Sequence, residues 1–220
     1  MNTFIVGDVH GCFNTLKALL QHCNFSSDQL VFVGDLIDRG AFSPETVHYV
    51  RQIQFKYPDT IVLMGNHEFE ATKQMKPDGK QYWFNQMGEE TILQYAESAF
   101  SLVDDLAWME HLPLVWQNED ILVSHAGICD HPSALDKEER EHGILWTRKA
   151  LKNMNKIQVH GHTPIKEGPI YSKESNSWNI DTACVYGGKL SAMHFNEKTK
   201  EIRFFHEEVH PEDLASFLEN

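Results

Sequence analysis

Residues 29–40 read QLVFVGDLIDRG: an apolar run ending in glycine, then Asp35, Asp38 and Arg39 held between Gly34 and Gly40. Gln29–Gly34 has the pattern of a buried strand. Two acids and an arginine at a strand end are costly to place for packing alone, so the loop after this strand is read as carrying chemistry. The same arrangement stands on either side of it. Thr3–Gly7 is a short apolar run followed by Asp8-Val9-His10-Gly11, and Thr60–Gly65 (TIVLMG) runs into Asn66-His67-Glu68. Between the first two runs, Phe13, Leu16, Leu19, Leu20 and Cys23 recur at helical spacing. Ser43-Pro44-Glu45 opens a second helix, with Ser43 as N-cap and Pro44 at the first helical position. The order is β-α-β-α-β, which predicts parallel strands joined by right-handed crossovers. The carboxyl ends of such strands converge on one edge, so Asp8, His10, Asp35 and Asn66 are expected in one crevice.

Farther along, residues 69–112 have a mainly helical pattern and carry Tyr82-Trp83-Phe84 near the polar loop Lys76-Pro77-Asp78-Gly79-Lys80. These aromatics are read as the core of a helical excursion, with a substrate groove as the alternative. Pro113–Gln117 and Asp120–Ser124, separated by Asn118-Glu119, predict a hairpin. Lys156–His160 is another apolar run, and alternating segments near 168–172, 177–181, 189–195 and 200–206 read as antiparallel strands. Asp136–Glu141 (DKEERE) reads as a solvated helix face, and a last short helix is expected over 211–218. The expected fold class is α/β, with two sheets packed together and helices outside. Residues 1–220 are expected to form a single domain, with the excursion at about 69–112.

Composition narrows the function. Apolar residues make up 41% of the 220 and charged residues 23%, which is enough for a core. No apolar run approaches the roughly 20 residues of a membrane helix, and the first residues lack the basic and apolar segments of a secretory signal. The four cysteines, at 12, 23, 129 and 184, include no CxxC pair and read as free thiols of a reducing compartment, so a cytoplasmic location is expected. Nineteen Lys and Arg against 32 Asp and Glu leave a net charge of −13, which excludes a general nucleic-acid or anionic-membrane partner. It does not exclude a small deep site in which a metal or paired arginines invert the local field. Thirteen histidines are an excess that points to imidazole chemistry.

Two more histidine-bearing strand ends, Ser124-His125-Ala126-Gly127 and His160-Gly161-His162-Thr163-Pro164, complete the pattern. Carboxylate, imidazole and amide oxygen without thiolate suit Mn, Fe or Zn. A shared carboxylate can bridge two ions about 3.5–4 Å apart, lower the pKa of a trapped water and clamp a phosphate. Each segment alone has an ordinary explanation as a cap or a turn. Five in this order, each after an apolar strand, do not.

The run GDVHG, GDLIDRG, GNHE, HAG, GHT resembles the calcineurin-like metallophosphoesterases, and more narrowly the bacterial and phage branch of the PPP-type serine/threonine protein phosphatases. The motifs span residues 7–164, and Asn179–Leu190 (NIDTACVYGGKL) extends the match over nearly the whole chain. The resemblance implies a two-sheet β-sandwich flanked by helices. It implies that Asp8 and His10 hold one divalent metal ion, that Asp35 bridges two, and that Asn66, His125 and His162 hold the second. Mn²⁺ is the first expectation, and Fe, Zn, Co or Ni fit the same donors. It further implies that His67 is the general acid for the leaving alkoxide, oriented and kept charged by Asp38. Arg39 and Arg148 hold the phosphate, and a metal-bridging hydroxide attacks directly. His160 stands two residues from His162 on the same strand, and the Gly-His pattern selects His162. Arg148 has an alternative as a surface arginine stacked on an aromatic, and Tyr186 is either a phosphate contact or turn packing. Around Trp83 the chain departs from the family, with Gln86 and Met87 where glycines stand.

The expected activity is therefore hydrolysis of phosphoserine or phosphothreonine, with phosphotyrosine as an alternative, in a phosphoprotein or phosphopeptide by a monomer. The alternatives are a symmetrical dinucleoside tetraphosphate hydrolase or another phosphomonoesterase of the same fold. The symmetrical hydrolases typically lack the second acid that stands here as Asp38, and carry Asp where this chain has Glu68. A non-catalytic binding protein would have lost a ligand, and every expected position is filled.

Overall fold

The computed structural model describes residues 2–74, 83–84 and 87–214. Two mixed five-stranded sheets pack face to face, with helices outside. In the first sheet, β1 (Asn2–Val6) runs parallel to β2 (Asp28–Phe32), and β2 parallel to β3 (Ile61–Val62), with Phe4 opposite Leu30 and Val31 opposite Ile61. The crossovers carry α1 (Phe13–Leu19) and α2 (Ser43–Lys56). The second sheet contains β4 (Val115–Gln117), β5 (Ile121–Ser124), β6 (Ile157–His160), β7 (Ile170–Ser172) and β8 (Ser177–Asn179), in the order β4-β5-β6-β8-β7. Between the sheets lie Ile5, Val31, Val33, Leu63, Val123, Val159, Ile180, Met193 and Phe195. Phe4, Val6 and Phe32 alternate with them and face α1 and α2 through Leu16, Leu19, Val47 and Val50. Both faces of β1 and β2 are thus buried, which is why these strands read as continuous apolar runs.

The remaining helices are α3 (Asn66–Gln74), α4 (Gly88–Glu97) and α5 (Leu102–Met109). Trp83 is fully buried and belongs to the core, while Tyr82, the loop at 76–80, Asn85 and Gln86 lie outside the described residues. No helix among the described residues is long and apolar enough to cross a membrane.

Several local expectations are corrected. β9 (Lys189–Asn196) and β10 (Ile202–Glu208) do not extend the sheet of the second half of the chain. They join the first sheet, β9 antiparallel beside β1 and β10 beside β9. β6 and β8 pair in parallel. Alternating hydrophobicity fixes the face a strand buries and leaves open the sheet it joins. Ser43 begins α2 rather than capping it. Phe42 occupies the N-cap and has no polar atom to cap with, while the Ser43 hydroxyl accepts the Asp38 N–H at 3.0 Å. Asp136–Glu141 forms turns instead of a helix: Asp136 and Glu139 carboxylates accept the backbone N–H groups of Glu138 and Glu141, a local alternative to helical bonding. Within 211–218, the described residues show one 3₁₀ turn, Pro211–Asp213.

That turn ties the end of the described chain to α1. Asp213 is fully buried and accepts the Asn14 N–H and Nδ2 at 3.0 Å, the Thr15 N–H at 2.7 Å and the Thr15 hydroxyl at 2.6 Å. Its own carbonyl accepts the Ala41 N–H, which reaches the loop after β2. Asp213→Ala leaves these donors buried without a partner and is expected to destabilise the protein by about 3 kcal/mol, read from the urea unfolding midpoint. A midpoint unchanged from wild type would refute the tie.

Candidate active site

At the carboxyl ends of β1, β2, β3, β5 and β6, the chain brings Asp8, His10, Asp35, Asn66, His125 and His162 together. Asp8, His10, Asp35, Asn66 and His125 are buried and His162 is partly exposed. Asp35 is central. Its Oδ2 lies 3.5 Å from His10 Nε2 and 3.4 Å from His125 Nε2, and its Oδ1 accepts the His67 N–H at 3.1 Å. Asn66 Oδ1 lies 2.9 Å from both His125 Nε2 and His162 Nδ1. His10, Asp35, Asp38, Arg39 and His162 all have φ between +48° and +73°, a left-handed conformation that costs roughly 1–2 kcal/mol for each non-glycine residue. Such strain clusters where side chains must be aimed. Gly161 and Gly65 leave the needed space, since a Cβ at either would overlap Asp8 Oδ1 or Asp35 Oδ1.

The histidine tautomers follow from their backbone bonds. His10 Nδ1 donates to Ile37 O at 2.9 Å, His125 Nδ1 to Val33 O at 3.1 Å, and His162 Nε2 to Trp146 O at 3.2 Å. In each ring the other nitrogen is a lone pair, and these lone pairs face the oxygens of Asp35 and Asn66. Backbone carbonyls that fix the ring in this way are the usual support of metal-ligating imidazoles. Burial lowers the pKa of all three, to about 3 for His162, where His125 adds to it, which favours the neutral form that a metal ligand requires. Burial alone would raise Asp35, but His125, His67, His10 and Arg39 outweigh it and hold this carboxyl well below the usual carboxylate range. Asp8 goes the other way: burial, then Asp181 and Asp35, push it well up. Its Oδ2 accepts the His162 N–H at 3.0 Å, while its buried Oδ1 has no hydrogen-bond partner. Acceptors meeting acceptors in a dry site fit divalent cations. One His-Asp-His group, His10, Asp35 and His67, and a second, Asp35, His125 and His162, have ligand atoms close enough to share an ion. His160 is in neither group, and its Nδ1 is bonded to Gly161 O at 3.2 Å.

Beside this cluster, His67 Nδ1 meets Asp38 Oδ2 at 2.6 Å, and both residues are fully buried. Asp38 also accepts the Trp83 indole N–H at 2.9 and 3.1 Å and the Thr91 hydroxyl at 2.5 Å. His67 Nε2 is buried without a partner. Arg39 Nη1 donates to His10 Nε2 at 2.6 Å, and its guanidinium lies over the Tyr186 ring at 5.6 Å. Arg39 and Arg148 line one cavity of about 290 Å³ with Asp35, Asn66, His162, Trp146 and Arg140.

Some of these residues carried no role in the sequence reading. Glu68 accepts three backbone N–H groups, from Asp35 at 2.9 Å, Leu36 at 2.7 Å and Gly65 at 2.8 Å, and so clamps the loops after β2 and β3. Its position in GNHE was the available signal. Asp181, inside the quoted NIDTAC segment, is buried beside Asp8, and burial with Asp35 nearby pushes its carboxyl up to about 6. Trp83 and Thr91 reach Asp38 from far along the chain, and no local pattern marked them. Arg140 lies in DKEERE, where one arginine among acids gives no sign that it stacks on Trp146 at 4.4 Å and pairs with buried Glu70.

The family model of calcineurin-like phosphoesterases matches residues 1–192. The chain is 30% identical to serine/threonine-protein phosphatase 1 of Salmonella typhimurium, over 86% of this chain and 90% of that protein. It is 28% identical to the asymmetrical bis(5'-nucleosyl)-tetraphosphatase PrpE of Oceanobacillus iheyensis, over 90% of each. A protein serine/threonine phosphatase structure from Saccharomyces cerevisiae superposes with a TM-score of 0.73 at 18% identity, covering 96% of this chain and 81% of that one. With a family match that takes in β1 through the first half of β9 and every residue of the donor cluster, this chain belongs to the calcineurin-like phosphoesterases.

Proposed function

We propose that the protein is a metal-dependent phosphatase of phosphoserine and phosphothreonine in proteins or peptides. The observation that carries this reading is the Asp38–His67 pair beside the donor cluster, with His67 Nε2 buried and unpartnered. Two divalent cations, with Mn²⁺ the first candidate, would be held by Asp8 and His10 on one side, Asn66, His125 and His162 on the other, and Asp35 between; bound there, they would activate water and offset phosphate charge.

The chain's own groups supply the rest. Arg39 and Arg148 flank the cavity and are suited to bind phosphate oxygens, Arg39 in the bidentate manner of a guanidinium. With the Nδ1 proton of His67 donated to Asp38, Nε2 is the nitrogen left to deliver a proton to a leaving alkoxide. A serine or threonine alkoxide is a poor leaving group and needs that proton, which supports an alkyl phosphoester as substrate. The likeness over 90% of its length to a serine/threonine-protein phosphatase also supports it.

A second reading has its own support. Arg140 adds a third cationic side chain to the cavity, as a polyphosphate would require, and the relative PrpE is named as a tetraphosphatase. A paired assay on metal-stripped enzyme refilled with Mn²⁺ separates the two. Phosphate release from phosphoserine and phosphothreonine peptides is expected to exceed cleavage of dinucleoside tetraphosphate, and the reverse order would overturn the protein-phosphatase reading.

His67→Asn should lower kcat on an alkyl phosphate by roughly a hundredfold or more while metal content is unchanged. Full activity in that variant would remove His67 from the acid role. Asp35→Asn should lose metal and activity together, and retention of both metal ions by elemental analysis would sink the shared-ligand role.

A further inference from the structure

The connection from β5 to β6 holds a second cluster of metal donors, apart from the buried one. His131, Glu139 and His142 each offer a ligand atom within 4.8 Å of the other two. Glu139 Oε2 lies 3.3 Å from His142 Nδ1. Two ligands on one tetrahedral zinc, with bonds of about 2.0–2.1 Å, are about 3.4 Å apart, so this edge already has the required length. The His131 and His142 rings stack at 4.0 Å with 16° between their planes, so His131 must turn out of the stack for its in-plane lone pair to meet the ion that His142 and Glu139 share.

The cluster is braced rather than loose. The Glu139 carboxylate accepts the Glu141 N–H at 3.0 Å on Oε1 and the His142 N–H at 2.5 Å on Oε2. The His142 carbonyl accepts the Cys129 thiol at 3.2 Å, tying the segment to the loop after β5. At His131, Nδ1 accepts the Ser133 N–H at 3.2 Å, a weak partner that a cation would displace if it bound there. Two imidazoles and one carboxylate, with the fourth position left to water, are the donor set of an open zinc site.

We propose that His131, Glu139 and His142 form a surface Zn²⁺ site on the loop that borders the active-site cavity. Arg140 stands between two of the three ligands, and its guanidinium lies over Trp146 at the cavity wall. A cation that fixes this loop therefore fixes the position of Arg140.

The test uses full-length protein, stripped of metal, reloaded with Zn²⁺ and desalted, with metal counted by elemental analysis. H131A/H142A should hold about one Zn²⁺ fewer per chain than wild type. That difference does not depend on how many ions the buried cluster takes. Mn²⁺-supported phosphatase activity should be unchanged, since neither histidine lines the cavity. Equal zinc counts would overturn the site. Glu139→Gln keeps the shape of the side chain, and should weaken the zinc that H131A/H142A loses by at least about tenfold in competition with a chelator. An unchanged affinity in that variant would equally remove Glu139 as a ligand and overturn the site.

Discussion

Asp35 Oδ2 lies within 3.5 Å of the lone pairs of His10 and His125, and no proton stands between them. The same holds where Asn66 Oδ1 meets His125 and His162. Acceptors crowded in this way repel one another, and burial removes the water that would separate them. Asp8 and Asp181 add two more carboxyls whose pKa values are raised by burial and by neighbouring carboxylates, Asp181 and Asp35 for Asp8 and Asp35 for Asp181. Among the described residues, Arg39 is the cationic side chain hydrogen-bonded to the cluster, at His10. A native fold tolerates such an arrangement when a multivalent cation completes it, which is why the donor cluster and the rest of the site have to be understood together.

Holding the acceptors in place is the work of the surrounding loops. Glu68 gathers three N–H groups from the ends of β2 and β3, and it is fully buried with its carboxyl pushed up to about 7 by burial and by Asp35. Those bonds offset part of the cost of burying it. They also explain how five left-handed non-glycine residues persist around the site. Each is anchored by a neighbour: Asp35 by Glu68, Asp38 by the Ser43 hydroxyl, Arg39 by His10, His162 by Asp8, and His10 by Ile37. The strain lies where direction matters, and the regular strands beneath it supply the stability.

The parallel half of the first sheet was legible because its strands are buried on both faces and end in glycine, so periodicity and punctuation agreed. The convergence of Asp8, His10, Asp35 and Asn66 followed from parallel topology alone. What escaped was set by partners distant in sequence. Met193 and Phe195 in β9 show the same alternation whichever sheet they enter, and only pairing with β1 decides the matter. Ser43 has the composition of a cap, yet a tertiary bond to Asp38 claims its hydroxyl. DKEERE has the composition of a helix face, but its carboxylates cap the backbone in turns, and this is how Arg140 comes to the cavity.

The helical segments between β3 and β4 are fastened to the chemistry rather than set beside it. Thr91 of α4 and Trp83 both donate to Asp38, while Gln94 of α4 accepts the Ser43 N–H at 2.9 Å and donates to Gly40 O at 2.9 Å. Loop 38–43, which carries Asp38 and Arg39, is thus gripped from one helix at three points. With Trp83, Thr91 and His67 all donating to it, Asp38 has its lone pairs fully engaged and its orientation fixed, so the imidazole it holds is fixed as well. Preorganisation of this kind is what the proton-donor role proposed for His67 needs. The inner face of this segment, Trp83, Thr91 and Gln94, thus holds Asp38 and its loop, and through Asp38 the His67 imidazole, in register.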